Sequence, residues 1–323
     1  MKIGNLSQTV WKRSVLGQLH NVQDKALFSP SMEEIYTDAV VFGEARDAGR
    51  FAVARVLNDL AVCGAGPVNV SLQILLTPSV SESGLKEMIG YMDEVCRTAG
   101  AQITRVKAEV SPCITYPVVF ACAAGGIQEE NGPCPSRAVP GQDIVLCGYV
   151  GLEGTLRILS ERKEELGRRF VPAFLRQMKE LESQMLAADA IAAGRRAGVT
   201  FMHQIGGGGV FAGLWELAEA SGVGLEVDRT KMPVKQETIE VCEYYGLNPY
   251  QMTSAGCILM TAEDGDALVR ALEGVGARAA KLGVATEKNA RVIASGEEKR
   301  YLDRPAPDEL MLWWEQGGRP RPR

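Results

Sequence analysis

The run His203-Gln204-Ile205-Gly206-Gly207-Gly208-Gly209-Val210-Phe211-Ala212 decides the class of fold. Residues 198–205 read as a strand, and residues 210–221 carry apolar positions at helical spacing. A strand that passes through glycines straight into a helix is an α/β unit. Glycine suits the junction because it reaches positive φ freely and lets an anion approach the backbone, while the helix start offers N–H groups and the positive end of a dipole. Gly206, Gly207, Gly208 and Gly209 are therefore candidate phosphate contacts. The same glycines serve equally well as a tight turn packed on a neighbour. Read as Gly207-x-Gly209-x-x-Ala212, with Asp228 further on, they also match a loose dinucleotide fingerprint, which four consecutive glycines satisfy easily.

Strand and helix patterns alternate on both sides of this run. Upstream, a helix is expected at 6–19, a strand at 37–42, a helix at 47–62, a strand at 68–76 and a helix at 81–99 capped by Ser81 or Ser83. Strands follow at 102–110 and 117–124, then a Pro/Gly/Asn-rich loop at 130–141 and a strand at 143–149. Beyond Gly151 come charged amphipathic helical stretches at 152–165 and 172–196. Downstream of the glycines, strands are expected at 224–228 and 256–261 and helices at 238–245 and 264–275. The tail, 304–323, is rich in Pro and Gly and reads as loose apart from 309–315. The change of character near 150 predicts two mixed domains, 1–150 and 151–323.

Composition narrows the classes of function. The chain has 323 residues, 46% hydrophobic and 23% charged, as a globular protein does. A net charge of −5 argues against nucleic acid as the main partner. No run approaches the roughly 18 apolar residues of a membrane span, and the N-terminus lacks a signal-peptide core, so a cytoplasmic protein is expected. Eight cysteines without a Cys-x-x-Cys pair, and two histidines, argue against a structural zinc site. The cysteines read as buried small apolar residues, with Cys113 the expected exception.

A second candidate site lies in Asn58-Asp59-Leu60-Ala61-Val62-Cys63-Gly64-Ala65-Gly66-Pro67. An acidic residue inside an apolar helix is costly to bury unless it is paired or binds a cation. Asp59 suits Mg²⁺, which takes a carboxylate or two and completes its shell with phosphate oxygens and water. An exposed or capping aspartate is the plainer alternative. Arg105-Val106-Lys107-Ala108-Glu109 reads as a solvated strand face, His203 as a structural histidine, and Trp313-Trp314 as the seal of a core or a subunit contact.

At these residues the chain resembles a known family. The Asn58 to Pro67 segment is similar to the Asn-Asp-Leu/Ile-Ala-x-x-Gly-Ala-x-Pro segment of HypE-like proteins, within the aminoimidazole-ribonucleotide-synthetase-like (AIR-synthase-like) superfamily. The likeness continues through the glycines, Leu214-Trp215-Glu216-Leu217-Ala218, Pro233-Val234, Gly246-Leu247-Asn248-Pro249 and Ser254-Ala255-Gly256, covering 37–295. It implies a two-domain AIR-synthase-like fold whose N-terminal sheet pairs across a homodimer, followed by a C-terminal α/β domain. It implies ATP and Mg²⁺ in a cleft beside the glycines, and phosphorylation of an amide or carboxylate-type oxygen. The HypE group works in hydrogenase maturation, so a maturation or carrier protein is an implied partner.

On that resemblance Asp59 and Asp38 would hold the metal, with Asp47 and Glu109 as helpers. Asn58 would orient Asp59, the four glycines would meet phosphate, and Lys107 would lend positive charge. The chain also departs from the pattern. Gln204 stands where an Asp is usual, Gly206 and Gly207 replace polar residues, and Arg105-Val106-Lys107 replaces a Gly-Gly-His/Asp-type segment. The chain ends in Arg319-Pro320-Arg321-Pro322-Arg323 and not in the cysteine that carries the HypE reaction. These departures imply either a divergent active site or a non-catalytic paralogue that acts as scaffold or partner.

Overall fold

The computed structural model describes residues 34–66, 68–127 and 135–321; the helix expected at 6–19 lies outside them. The N-terminal half runs β1 (Glu34–Phe42), α1 (Gly49–Cys63), β2 (Asn69–Leu76), α2 (Glu82–Thr98), β3 (Gln102–Val110) and β4 (Val118–Gly126). Its four strands lie in the order β1-β4-β2-β3, with β2 and β3 parallel and the other pairs antiparallel. Alternation explains the sheet: Val70, Leu72, Ile74 and Leu76 of β2 turn inward to meet Phe51, Leu57 and Leu60 of α1 and Met88 and Met92 of α2. Ser81 caps α2 by accepting from the Gly84 N–H at 3.1 Å, as its sequence position predicts. Gly64, at φ 73°, ends α1 in the left-handed conformation that glycine adopts without strain. β3 is an edge strand whose residues 104–110 are all exposed.

The larger half begins with β5 (Asp143–Cys147), ahead of residue 150, and continues with α3 (Leu152–Glu161), α4 (Lys163–Arg169), α5 (Pro172–Glu180), α6 (Ala188–Arg196), β6 (Phe201–Gln204) and α7 (Gly209–Ser221). It closes with β7 (Gly224–Asp228), α8 (Gln236–Tyr245), β8 (Ile258–Ala262), α9 (Gly265–Glu273), β9 (Ala279–Thr286), β10 (Arg291–Ser295), β11 (Glu298–Tyr301) and α10 (Glu309–Glu315). Seven strands form one sheet in the order β11-β10-β7-β9-β5-β8-β6. Only β10 and β7 pair in parallel; the rest is antiparallel.

The helical stretches expected at 152–165 and 172–196 are each broken: the first at Arg162, the second by a 3-10 turn, Leu181–Met185. The second break carries the chain between layers, with Met178 in the cluster around Trp313 and Met185 in that around α1. β9, β10 and β11 carry weak strand patterns and were not expected from sequence. β9 contains Gly283, where a side chain would lie 1.9 Å from the Glu226 carbonyl of β7, so close backbone pairing replaces β-branched packing there.

The dinucleotide reading fails on topology. β6 is an edge strand antiparallel to β8, and β7 lies elsewhere in the sheet, so the two are not the adjacent parallel pair that fingerprint needs. Asp228 caps a short turn instead, accepting from the Thr230 N–H at 2.9 Å.

The tail is held firmly. Leu310 and Trp313 of α10 are fully buried beside Tyr245, Val241 and Ile158. The Trp314 ring packs on Phe42 and Tyr116 of the N-terminal half at centroid distances of 5.4 and 4.9 Å. The tryptophan pair therefore seals a core that joins the halves. Cys63, Cys96, Cys147, Cys242 and Cys257 are buried, while Cys113 and Cys122 are exposed. Among the described residues no helix is long and apolar enough to cross a membrane. Trp313→Ala is expected to lower unfolding free energy by about 3–5 kcal/mol, the usual cost of emptying a large aromatic site. Urea unfolding followed by circular dichroism checks this, and a loss under about 1 kcal/mol would contradict the packing described.

Candidate functional site

Arg55, Asn58 and Asp59 are three and four residues apart, so α1 presents them on one face, toward the end of β6. Asn58 is buried. Its Nδ2 donates to the Met185 carbonyl and to Gln204 Oε1, both at 2.8 Å, and its Oδ1 accepts from the Ala187 N–H at 3.0 Å. Gln204 completes the hub. Its Nε2 donates to Asp59 Oδ1 at 2.7 Å and to the Arg55 carbonyl at 3.0 Å, and its Oε1 also accepts from the Gly256 N–H at 3.2 Å. The two amides thus join the halves while fixing one oxygen of Asp59.

Burial lifts the Asp59 carboxyl above its ordinary range and the charge of Asp38 adds to that, against the Gln204 hydrogen bond and the positive charges of His203 and Arg55. His203 Nε2 lies 2.9 Å from Glu216 Oε2. Burial alone would lower the imidazole, but Glu216 and then Asp59 outweigh it and raise it. Asp38 is placed differently from the expectation of a shared pocket. Thr37 turns inward and donates to the Val56 carbonyl at 3.1 Å, so Asp38 points to the outer face of the small sheet, in one row with Cys122, Ser71 and Arg105. Asp38 acts on Asp59 through its charge.

The glycine turn follows Gln204 directly. Gly208 and Gly209 have φ of 85° and 67°. A side chain at Gly209 would also lie 2.6 Å from the Tyr250 carbonyl, so here glycine is required by both conformation and packing. Gly206 faces open space. The Gly208 N–H donates to Asp308 Oδ2 at 2.7 Å, and Asp308 Oδ1 accepts from Leu310 N at 2.8 Å. The tail carboxylate thus caps α10 and meets the start of α7 as well. Burial raises the Asp308 carboxyl, against these two N–H donors.

The remaining candidates are engaged elsewhere. Lys107 pairs with Glu109 at 2.7 Å on the edge strand of the small sheet, away from β6. Asp47 pairs with Arg50 at 3.0 Å and accepts from Ser160 Oγ at 2.9 Å.

Behind the hub sits a buried charge cluster that the sequence patterns did not single out. Glu153 is fully buried; its Oε2 accepts from Arg55 Nε at 3.1 Å, Thr253 Oγ1 at 2.7 Å and the Ala255 N–H at 3.1 Å, and its Oε1 lies 2.5 Å from Arg55 Nη2. Arg157 stands further off, 3.8 Å from Glu153, and donates to the Phe42 carbonyl at 3.1 Å. Burial would raise the Glu153 carboxyl, but the two guanidiniums and Thr253 together hold it below its ordinary range. Arg157, buried and only partly compensated, is pushed down to about 10. Arg55 in the apolar run Phe51 to Leu57, Glu153 after Leu152, and Asp308 ahead of the apolar Leu310 to Trp313 were the available signals.

Among the described residues no group of three or more His, Cys, Asp or Glu comes together to cage a metal ion. Mg²⁺ needs less, since one or two carboxylates with phosphate oxygens and water suffice. Asp59, lifted by burial and by the like charge of Asp38, would be relieved by a cation at its second oxygen. The donor set fits a cation that arrives with phosphate.

Two domain models of one family match the chain: AIR synthase related protein, N-terminal domain, over residues 23–127, and its C-terminal domain over 139–295. The chain belongs to the AIR synthase related family. Among curated relatives it is 24% identical over 304 residues to a hydrogenase expression/formation protein of Methanocaldococcus jannaschii, covering 90% of this chain and 88% of the relative. It is 28% identical over 304 residues to carbamoyl dehydratase HypE of Escherichia coli, covering 91% and 86%. Crystallised E. coli HypE, a hydrogenase maturation protein, shares the fold at a TM-score of 0.71 and 23% identity, over 94% of this chain and 99% of that one. HypE in complex with ATP matches at 0.68 and 19% identity, over 92% and 91%. A HypE–HypF complex matches at 0.67 and 20% identity, over 84% and 90%. The mixed α/β, two-sheet AIR-synthase-like architecture expected from the resemblance is thereby the fold of this chain.

The charge cluster makes a pH-dependent prediction. Glu153 has a folded pKa below its unfolded value, so its stabilisation is present above the ordinary carboxylate value of 4.5 and is lost as pH falls through the lower folded value. Glu153→Gln leaves the buried Arg157 and the half-buried Arg55 without their carboxylate and should cost about 3–5 kcal/mol at pH 7. The deficit should shrink below about pH 4. Urea unfolding at pH 7 and pH 3.5 measures both, and an equal deficit at the two pH values would refute the assignment.

Proposed function

We propose that this chain is a HypE-like, ATP-dependent maturation or small-molecule-activating factor with a divergent active site. The observation that carries the reading is the Asp59 carboxylate, lifted by burial and held by Asn58 and Gln204 next to the glycine turn. A nucleotide would lie between that carboxylate and the turn of Gly206, Gly207, Gly208 and Gly209, meeting the N–H groups of Gly206 and Gly207, since those of Gly208 and Gly209 donate to Asp308 and to the Gly206 carbonyl. Asp59, with Asp38 contributing charge, would hold Mg²⁺, which neutralises phosphate charge when bound. Asn58 and Gln204 keep the carboxylate in place, and the half-buried Arg55 keeps positive charge near it. Lys107, tied to Glu109, takes a lesser part in this reading than Arg55. The acceptor would be an amide- or carboxylate-type oxygen on a small molecule or carrier protein, in keeping with the hydrogenase-maturation relatives and the HypE–HypF assembly. The N-terminal domain, whose sheet ends with β4, would bind nucleotide and form a homodimer, and the larger domain from β5 onward would complete the cleft. The outer face of the small sheet, with Tyr36, Val40 and Phe120 exposed, supports the dimer, and the cytoplasm is its proposed place.

A second reading, a non-catalytic paralogue acting as scaffold or partner, is favoured by a separate observation. The Gly208 N–H and one Asp59 oxygen are already satisfied by Asp308 and Gln204. Calorimetry with Mg²⁺-ATP decides between them. The first reading expects binding by the wild type that weakens at least about tenfold in Asp59→Ala, as removal of a metal carboxylate does. No binding to either protein would leave the scaffold reading.

A further inference from the structure

An open cleft of about 330 Å³ lies outside the site described above, lined among others by Tyr149, Gln184, Lys235, Glu273 and Arg278. Its volume is at the lower end of small-molecule sites, which begin at about 300 Å³. Four segments build it: the connection after β5, the turn Leu181–Met185, the residue that precedes α8, and the link from α9 to β9. None of these five side chains holds Asp59.

The lining carries an excess of positive charge. Lys235 sets its ammonium over the Tyr149 ring, 4.5 Å from the centroid, and no carboxylate among the described residues pairs with it. The ring fixes the ammonium without neutralising it. Arg278 stands 3.8 Å from Glu273, but both side chains are about half exposed, so water screens the pair. Two cations thus face one carboxylate, in a chain whose net charge is −5. Such a lining draws anions, and Gln184 adds an amide for a second polar contact.

The cleft shares one end of the large sheet with Gln204. β5 and β6 finish there, at Cys147 and Gln204, and both residues pair with Ile258 at the start of β8. Cys147 also pairs with Ala279, next to Arg278. The strand order β9-β5-β8-β6 sets the two places two to three strands apart, roughly 10–15 Å. The turn Leu181–Met185 touches both. Gln184 lines the cleft, and the Met185 carbonyl accepts from Asn58 Nδ2 at 2.8 Å. The turn also lies directly on the Gly256 backbone: a side chain at Gly256 would fall 2.6 Å from the Gln184 carbonyl and 2.9 Å from Met185 Cα. The Gly256 N–H donates in its turn to Gln204 at 3.2 Å.

We infer that this cleft is a second ligand site, which takes a small metabolite by its carboxylate or phosphate group on Lys235 and Arg278, and that the bound anion stiffens the turn that anchors Asn58. Both groups supply what the lining asks for, negative charge and several acceptor oxygens. A 3-10 turn is held by poorer hydrogen bonds than an α-helix, so contact at Gln184 has motion to remove. The site needs no nucleotide, and its ligand reaches the Asn58–Gln204 hub only through the turn.

Hydrogen–deuterium exchange followed by mass spectrometry tests this on the full chain, with inorganic phosphate or succinate as probe. Each is used at about 10 mM, above the roughly millimolar affinity that two solvated cations supply. Sodium chloride at matched ionic strength controls for screening. Exchange in peptides covering 181–187 and 274–280 is expected to slow at least about twofold with one probe or both, and the effective probe identifies the group the site prefers. The protection should vanish in Lys235→Ala/Arg278→Ala, checked for folding by thermal melt. Glu273→Gln removes the opposing charge at an exposed position and should tighten binding about threefold, read by titrating the same protection. Protection by neither probe overturns the proposal. So does protection that survives in the folded double variant, which marks an adventitious ion bound elsewhere. Unchanged or weaker binding by Glu273→Gln overturns it as well, even if the double variant fails to fold. Slowing at 274–280 without slowing at 181–187 refutes the link to the turn. Absence of Mg²⁺-ATP binding in calorimetry would leave every one of these outcomes unaffected.

Discussion

A single fully buried carboxylate, Glu153, constrains how the two sheets can meet. A charge in a water-free interior costs several kcal/mol unless it is paired and hydrogen-bonded. Glu153 meets that demand with partners from three segments: Arg55 on α1, Arg157 on its own helix, and the 253–255 loop. Satisfying them fixes the position of α1 along the larger half. The spacing of Arg55, Asn58 and Asp59 on that helix then delivers the amide and the carboxylate to the end of β6. The candidate site is thus a by-product of the electrostatic need to place α1, and its geometry inherits that rigidity.

Much of the fold could be read from the chain because apolar periodicity and secondary structure agree. The β2 alternation and the α2 cap at Ser81 are local signals, and both hold. What could not be read has a common physical origin: it depends on contacts between distant segments. β9 forms through backbone pairing around Gly283, which no side-chain pattern records. The tail is ordered because α10 fits its tryptophans between the halves, although its Pro/Gly content suggests a loose end.

The site divides along the same line. Asn58, Asp59 and the glycine turn were legible, since a polar pair in an apolar helix and a run of glycines stand out in any reading. Their partners were not. Gln204 was marked only as a departure from a family pattern, while the structure makes it the bond between Asn58 and Asp59. Asp308 lies one hundred residues from the Gly208 it meets. Asp38 and Lys107 point the other way: their residue types suited phosphate and metal chemistry, but strand alternation and an ion pair place them on the outer sheet surface.

The exposed edge strand β3 has a consequence for the protein in a crowded solution. An open strand edge offers unpaired N–H and C=O groups on which a foreign strand can nucleate. β3 carries Arg105, Lys107 and Glu109 at alternate positions along that edge. Any strand docking there would have to strip water from these three ionic groups. The row that reads from sequence as a solvated strand face thus guards the molecule against self-templated aggregation.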